Sequence, residues 1–361
     1  MKVAAFASRA LLAALLLLAV APACRGDSLL EKMDREVSTL FQKSRDAVVK
    51  VHAQRDAGLG PARRVGTGFF VDADGRLLTS ATVVDHALAC WVEWQGKLVP
   101  AKILGRDQIT NLAVLQVDPT KCTVTGKGTP FLVAGNSAEL KVGSMVIAIG
   151  FPFEQPSAPS VGFVNGFDIK CGAHTFVTSH IRAGCRLRPG QGGGPVLNAQ
   201  GQVVGVSVAA HQEDQCYALP MNAAGRILAD ITQHGAPQHG WVGLSVTERQ
   251  NTVLVSTTGQ WQVFVQQISS NTPAAAAGFN ANDVLVAIHT NEIHRSAEVL
   301  DTMFRYRAGD RVKFVVLRDG QPRELTLVIG QRPPEETDNT AAPLPATPTL
   351  KLVPVVSSPG Q

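Results

Sequence analysis

The spacing of apolar residues changes twice in the first fifty positions. Two basic residues and an apolar run that ends in small residues are typical of a secretory signal peptide, predicted over residues 1–23. Apolar residues then recur every three or four positions, which predicts an amphipathic helix over residues 24–44. From Asp46 onward, short apolar runs alternate with glycine-rich turns, as in a β-rich protein.

Composition supports this division and excludes one class of function. The 361 residues include 33 glycines and 21 prolines, enough for many turns, and the length predicts two domains with tails. The net charge is +4, and two of the basic residues lie in the predicted signal peptide. The chain has no long basic run, so a nucleic-acid partner is not expected. No spacing predicts a metal site or a cofactor site.

Short motifs follow one another in a fixed order between residues 44 and 230. A hairpin with an Asp-Gly turn comes first, and later motifs occupy residues 79–84, 107–115, 140–152, 160–164, 190–195 and 217–220. Their order resembles that of the HtrA family of trypsin-like proteases. The resemblance implies a mainly β fold, with two six-stranded antiparallel β-barrels that form a protease domain over residues 45–234.

The three positions that match the catalytic triad of this family hold other residues. The nucleophile turn reads Gly190-Gln191-Gly192-Gly193-Gly194-Pro195, with Gly192 at the serine position. Thr82 stands at the histidine position, and Asn111 stands at the position of the aspartate that orients the histidine. Serine proteolysis needs a nucleophile, a base and a group that orients the base. The resemblance therefore implies an inactive relative of these proteases.

Two features of the cleft do not depend on the triad. The oxyanion hole uses backbone N–H groups, here expected from Gly190 and Gly192, so it can persist without a nucleophile. Arg186 lies six residues before Gly192, where this architecture places the base of the specificity pocket. With Arg182 and Arg188 it would make the cleft basic, although a solvated loop is the alternative.

Residues 235–331 resemble a PDZ domain of the HtrA type. The loop Trp241-Val242-Gly243-Leu244 matches the loop that receives a C-terminal carboxylate on backbone N–H groups. A bound peptide would pair with the edge strand that contains Val246. The facing helix is predicted from Ser296 to Arg305, with Val299, Leu300 and Met303 as apolar positions. Some of these must face the domain core, and Val299 and Leu300 are the candidates for the groove. A groove that only packs on the barrel is the alternative.

The cysteines and the chain ends leave further alternatives. Cys24 follows the small residues of the leader, as in a bacterial lipoprotein acceptor, whereas ordinary cleavage would release a soluble protein. Export would permit disulfides, but the sequence does not give their pairing. Residues 332–361 are rich in proline and threonine, which predicts a disordered tail. The candidate pairings are Cys171–Cys185, Cys185–Cys216 and Cys90–Cys122, and buried free thiols are the alternative.

These features predict a pseudoprotease outside the cytoplasm that binds unfolded or C-terminal peptide segments. It would be periplasmic or otherwise exported, with a possible membrane tether through Cys24. Partners implied by the resemblance are peptides, copies of the chain in a trimer, or active homologues. The alternatives are an active serine endopeptidase with a displaced triad and a structural envelope lipoprotein.

Overall fold

The computed structural model describes residues 28–331, except 57, 59–62, 125–127, 173, 212–214 and 251–260. The predicted signal peptide, Cys24 and the predicted tail lie outside the described residues. The chain divides into two units, residues 1–42 and 43–361, and each is treated by itself. No helix among the described residues is long and apolar enough to cross a membrane.

The N-terminal unit contains most of helix α1, which covers Leu29–Ser44. Ser28 begins this helix through a reciprocal pair of hydrogen bonds. Its hydroxyl accepts from the Glu31 N–H at 3.1 Å, and the Glu31 carboxylate accepts from the Ser28 N–H at 2.8 Å. This capping box supplies partners for backbone groups that the first turn leaves unpaired.

The first β-barrel closes through the strand order β1-β2-β3-β6-β5-β4. Short helix α2, Ala81–Val84, follows β3 and carries one of the triad positions. The barrel interior is filled by alternate residues of the strands, such as Val51, Leu77 and Leu115, none of which is exposed. The strands are β1 Val48–Arg55, β2 Arg63–Phe70, β3 Arg76–Ser80, β4 Ala87–Trp94, β5 Lys97–Asp107 and β6 Leu112–Val117.

The second β-barrel closes through the order β10-β11-β12-β9-β8-β7, which confirms the predicted pair of six-stranded barrels. Helix α3, Met221–His234, follows it and ends at Gly235 in the left-handed conformation. The strands are β7 Met145–Gly150, β8 Ala158–Cys171, β9 His174–Ala183, β10 Pro195–Asn198, β11 Val203–His211 and β12 Gln215–Pro220. Short 3₁₀ helices cover Arg45–Ala47, Pro119–Cys122, Ser137–Glu139 and Pro152–Glu154.

The C-terminal domain is a six-stranded sheet with two short helices, as a PDZ domain has. Its strands are β13 Gly240–Trp241, β14 Leu244–Gln250, β15 Trp261–Ile268, β16 Val284–Ile288, β17 Asn291–Glu292, β18 Arg311–Arg318, β19 Gln321–Val328 and β20 Gly330–Gln331. Strands β13 and β20 form a separate pair. The helices are α4 Pro273–Ala276 and α5 Ser296–Met303, the latter two residues shorter than predicted.

Polar contacts fasten this domain to the second barrel. Asp301 of α5 accepts hydrogen bonds from the Thr178 hydroxyl, the Ser179 N–H and the Ser179 hydroxyl, at 2.6–2.7 Å. Arg307 donates two bonds to the buried carboxylate of Asp230 in α3. A buried carboxylate needs such donors, because an unpaired one loses its hydration without compensation. The PDZ helix α5 is therefore held directly against strand β9.

The five cysteines between residues 90 and 216 are buried free thiols. None of the three candidate disulfides is present. Cys90 and Cys122 belong to the core of the first barrel, and Cys185 and Cys216 belong to the core of the second. They fill these cores as small apolar residues do.

Candidate functional site

Thr82 and Asn111 are in direct contact at the junction of the two barrels. Thr82 is the second residue of α2 and is exposed, and Asn111 ends the turn between β5 and β6 at a φ of 56°. The Asn111 Oδ1 atom accepts from the Thr82 N–H at 2.8 Å and from the Thr82 hydroxyl at 2.7 Å. Where a triad would have an ion pair, the chain has a neutral hydrogen-bonded pair.

The other end of the Asn111 amide reaches the strand beside the glycine turn. Its Nδ2 donates to the Val208 carbonyl at 2.8 Å. The preceding residue, Ser207, accepts from the Gly193 N–H at 2.7 Å, and its hydroxyl donates to carbonyl groups of the turn. A continuous set of bonds therefore links Thr82, Asn111 and the turn that contains Gly192. The structure brings the three triad positions together.

Hydrogen bonds from buried polar groups hold the glycine turn in place. Gln191 is 4% exposed, and its side-chain carbonyl accepts from the Arg188 N–H at 2.7 Å. Thr67 donates from its hydroxyl to the Gly190 carbonyl at 2.7 Å and from its N–H to the Gly192 carbonyl at 2.9 Å. None of these bonds involves the side chain that the serine position would carry.

The serine position itself is open. A Cβ atom built on Gly192 would have the Ser80 Oγ, at 4.0 Å, as its nearest neighbour. Its backbone is outside the left-handed region, so other residues can adopt it. Gly190 differs, because its φ is +94° and a Cβ there would lie 2.4 Å from the Phe151 carbonyl oxygen. Only one of these two glycines is required by the shape of the turn.

The carbonyl of the peptide between Pro189 and Gly190 is turned toward Phe153. The Pro189 carbonyl accepts from the Phe153 N–H at 2.7 Å. Since a trans peptide places its C=O and N–H on opposite sides, the Gly190 N–H faces away from Phe153. Gly190 and Gly192 are both partly exposed, and within the described part of the chain neither amide N–H donates a hydrogen bond. Two adjacent donors are thus available at the turn.

No displaced base or thiol replaces the triad among the described side chains. None of their imidazoles is hydrogen-bonded to a hydroxyl or a thiol, and the His86 ring, four residues after Thr82, lies beside Asp85. Burial raises the pKa of the Cys185 thiol, seven residues before Gly192, to about 11, so it is protonated near neutral pH. A protonated thiol is a poor nucleophile. The described groups therefore supply hydrogen-bond donors that can polarise a carbonyl, but they include no nucleophile that is paired with a base.

The arginines of the turn are arranged differently from the prediction. Arg182 pairs with Asp168, so its charge is compensated on strands β8 and β9 rather than directed at the cleft. Arg186 is exposed and Arg188 is half-buried. Sequence reasoning did not find Arg64, whose guanidinium donates to the Thr82 carbonyl at 2.5 Å. The sequence has no local pattern that indicates this contact, because Arg64 and Thr82 lie on separate elements.

The loop that the sequence predicts to receive a peptide carboxylate covers residues 241–244. Trp241 pairs with Gly330, and Gly243 has a φ of +75° with the Thr272 side chain 2.4 Å from the position of a Cβ. Val242 and Gly243 use their carbonyls to hold the loop, accepting from Ala274 and Ser269. Their N–H groups donate no hydrogen bond within the described residues. The loop therefore has the donors that a peptide carboxylate would need.

The two walls of the groove differ from the predicted set in one residue. Leu244 and Val246 of β14 are partly buried against the domain core, as edge-strand residues of a groove are. Val299 is 4% exposed and belongs to the core, so of the two groove candidates on the helix it is the one that faces the domain interior. Leu300 is half-buried outside that core and stays a groove candidate.

A salt bridge that sequence reasoning missed joins these walls. Arg295 donates two hydrogen bonds to Glu248, at 2.9 and 3.2 Å, and its guanidinium lies 4.4 Å from the centre of the Trp261 ring. Glu248 also accepts from the Ser296 N–H at the start of α5. Because Glu248 is on β14, this bridge ties the strand to the helix at the end opposite the carboxylate loop.

Known proteins share this domain order. A family described as "Trypsin-like peptidase domain" matches residues 66–206, and one described as "PDZ domain" matches residues 240–329. A DegP-like periplasmic serine endoprotease of Hahella chejuensis is 30% identical over 300 residues, covering 81% of this chain and 62% of the relative. One of Pseudomonas savastanoi pv. phaseolicola is also 30% identical, covering 77% and 59%.

The chain spans about 60% of the length of these curated relatives. Among solved structures, an HtrA-type protease, AlgW with a tripeptide, is 26% identical with a TM-score of 0.69. That match covers 83% of this chain and 98% of the solved chain. With both domains, their order and the fold in agreement, the chain belongs to the HtrA-type family of trypsin-like proteases that carry a PDZ domain.

Proposed function

We propose that this chain is a pseudoprotease that holds polypeptide without cutting it. The observation that carries the proposal is the direct contact between Thr82 and Asn111 beside the open Gly192 position. A threonine hydroxyl does not accept a proton near neutral pH as an imidazole does, and its hydrogen is already donated to Asn111. Glycine has no atom that can attack a carbonyl. In this proposal the cleft is retained without reactive groups at its three triad positions.

Two retained sets of backbone donors support a binding role. One set is at Gly190 and Gly192, and the other is in the Val242–Leu244 loop of the PDZ domain. The PDZ groove would take a C-terminal peptide by strand addition along β14, with Leu300 on the helix side. The relatives named above are called periplasmic, so we place this chain outside the cytoplasm. A lipid at Cys24 belongs to the same proposal and would appear as a mass adduct on the mature protein.

Self-association is also part of the proposal. Val161, Phe163 and Phe167 of β8 are 37–50% exposed, with the exposed Asn165 between the two phenylalanines. Large exposed apolar residues that lie close together are typical of protein interfaces. A second copy of the chain or an active homologue would cover them. Light scattering on the purified protein, with Phe163→Ser as the variant, measures this association.

The decisive test is turnover. The purified protein is incubated with unfolded casein and, separately, with a fluorophosphonate probe that labels activated serines. We expect no fragments and no label. Degradation that disappears when one Ser, Thr or Cys is mutated would refute the proposal and favour an active endopeptidase. The triple variant Thr82→His, Asn111→Asp, Gly192→Ser serves as the positive comparison.

Peptide binding is tested separately in the PDZ groove. Gly243→Ala would push the carboxylate loop away from Thr272, so binding to a C-terminal peptide library should be lost. The matched control is Gly320→Ala, because Gly320 has the same φ of +75° and no atom within 4 Å of its Cβ position. Equal binding by both variants would remove the PDZ groove from the proposal.

A further inference from the structure

The glycine turn offers two donors and an empty volume at the same place. The N–H groups of Gly190 and Gly192 donate to no group of the described chain, and both residues are partly exposed. The space beyond Gly192, where a serine side chain would lie, has the Ser80 hydroxyl as its nearest atom at 4.0 Å. Ser80 makes no capping bond to α2, so its hydroxyl is a third potential donor.

The electrostatic surroundings favour an anion here more than they would in an intact triad. A protease of this family has a carboxylate at the position of Asn111, and a negative charge there repels an anion bound at the turn. Asn111 is neutral, with both ends of its amide engaged.

The open Gly192 position also leaves room for a carboxylate. An oxyanion hole binds one oxygen, and the serine oxygen occupies the volume next to it. In this chain that volume is vacant, so the second oxygen of a carboxylate can enter it. We infer that the degenerate cleft is a receptor for the free C-terminal carboxylate of a peptide, held by the Gly190 and Gly192 N–H groups. The inference rests on the proposed loss of catalysis and specifies the ligand that the same cleft takes.

The ligand class follows from this chemistry. A peptide that passes through the cleft without a break presents only a neutral carbonyl to the two N–H groups. A peptide that ends there presents a charge, and hydrogen bonds to charged groups are about twice as strong as neutral ones. The site therefore binds a peptide whose C-terminus lies in the cleft more tightly than a chain that passes through it. The proteolytic fragment that carries the new C-terminus is such a peptide. Because the PDZ loop has its own donors, the protein would have two separate places for chain ends.

The first experiment compares two ligands on the unaltered full chain. The probe is an acetylated alanine-rich hexapeptide with a photoreactive residue next to its last position, ending in either a carboxylate or a carboxamide. Cross-linked residues are located by mass spectrometry, which separates the turn at 190–192 from the loop at 242–244. We expect the carboxylate form to label the turn at about 10- to 100-fold lower concentration. Equal labelling by the two forms, or labelling of the PDZ loop alone, overturns the inference.

The second experiment changes one donor. Gly192→Pro removes the N–H, whereas Gly192→Ala keeps it and fits the open space. Carboxylate-dependent labelling of the turn should fall about tenfold or more in the proline variant and persist in the alanine variant, while labelling of the PDZ loop stays equal in both. Labelling that survives in Gly192→Pro contradicts the inference. If the proline variant does not fold, the inference is tested by the first experiment, which compares the carboxylate and carboxamide peptides on the unaltered chain.

Failure of this inference differs from failure of the proposed function. Casein turnover tests whether the protein is catalytic, and it does not depend on these peptides. A protein that is inert to casein but does not distinguish acid from amide would keep the proposed function and lose the carboxylate site. A protein that degrades casein would lose both.

Discussion

Replacing Gly190 by alanine tests the orientation of the Pro189–Gly190 peptide, which carries the Gly190 N–H donor. Gly190 has a φ of +94°, which side-chain-bearing residues rarely adopt, and an added Cβ would lie 2.4 Å from the Phe151 carbonyl oxygen. That oxygen belongs to the backbone, so it cannot rotate away as a flexible side chain can. The substitution must therefore either move the Phe151 segment or reverse the peptide.

The cost has two parts. A residue with a Cβ at this φ costs about 1–3 kcal/mol. Overpacking against backbone adds about 1–3 kcal/mol. We expect Gly190→Ala to lower the free energy of unfolding by about 2–6 kcal/mol. At about 2–4 °C per kcal/mol for a domain of this size, the midpoint of thermal unfolding would fall by at least about 4 °C.

The control lies two residues away in the same turn. Gly192 is outside the left-handed region and its Cβ position is open, so Gly192→Ala should change the free energy of unfolding by less than about 0.5 kcal/mol. Urea unfolding of both variants, followed by tryptophan fluorescence, measures the difference. If Gly190→Ala were as stable as Gly192→Ala, Gly190 would not have a left-handed backbone. The argument that its N–H faces the cleft would then fail.

Four further outcomes follow from the same contacts. Gly192→Ser should fold normally and remain unlabelled by a fluorophosphonate, because Thr82 offers no base; labelling would contradict this. Asn111→Asp should lower stability at pH 7 by about 1–3 kcal/mol in urea unfolding, since it replaces the donor to the Val208 carbonyl with an acceptor; unchanged stability would mean that the amide is not fixed. Burial lowers the pKa of His180 from about 6.5 to about 4. The free energy of unfolding should therefore be constant above pH 6.5 and fall by about 3 kcal/mol as the pH drops toward 4, because the unfolded chain binds the proton first. His180→Phe should flatten this part of the pH profile. Asp301→Ala should speed amide exchange in both β9 and α5, and unchanged exchange in either element would show that the carboxylate does not hold them together.

The sequence predicted the parts of the fold that depend on local spacing. The hairpin after Phe70, the closing strand before Pro220 and the triad positions all come from short motifs with fixed internal distances. The sequence left open whether Val299 or Leu300 faces the groove, because α5 has only eight residues and apolar side chains on more than one face. A hydrophobic period needs several turns before it distinguishes the core face from a groove.

Short sequence motifs could not predict contacts between residues that are far apart in the chain. The Glu248–Arg295 bridge joins residues 47 positions apart, and the bond from Thr178 to Asp301 spans 123 positions. Neither pair has a local pattern, since each depends on how separate elements pack. The cysteines illustrate the same limit. Export made a disulfide plausible, but the strands place the thiols inside two cores, where they serve as small apolar side chains.

The order of the glycine turn does not depend on the residue at its catalytic position. Thr67 holds the carbonyls of Gly190 and Gly192, and Ser207 donates to the Gln191 carbonyl, so the bonds that shape the turn come from strands beneath it. A serine at residue 192 would project away from these bonds into open space. The backbone donors and the catalytic side chains are therefore physically separable. Removing the side chains leaves the donors in place, and this separation makes binding without cleavage possible in this fold.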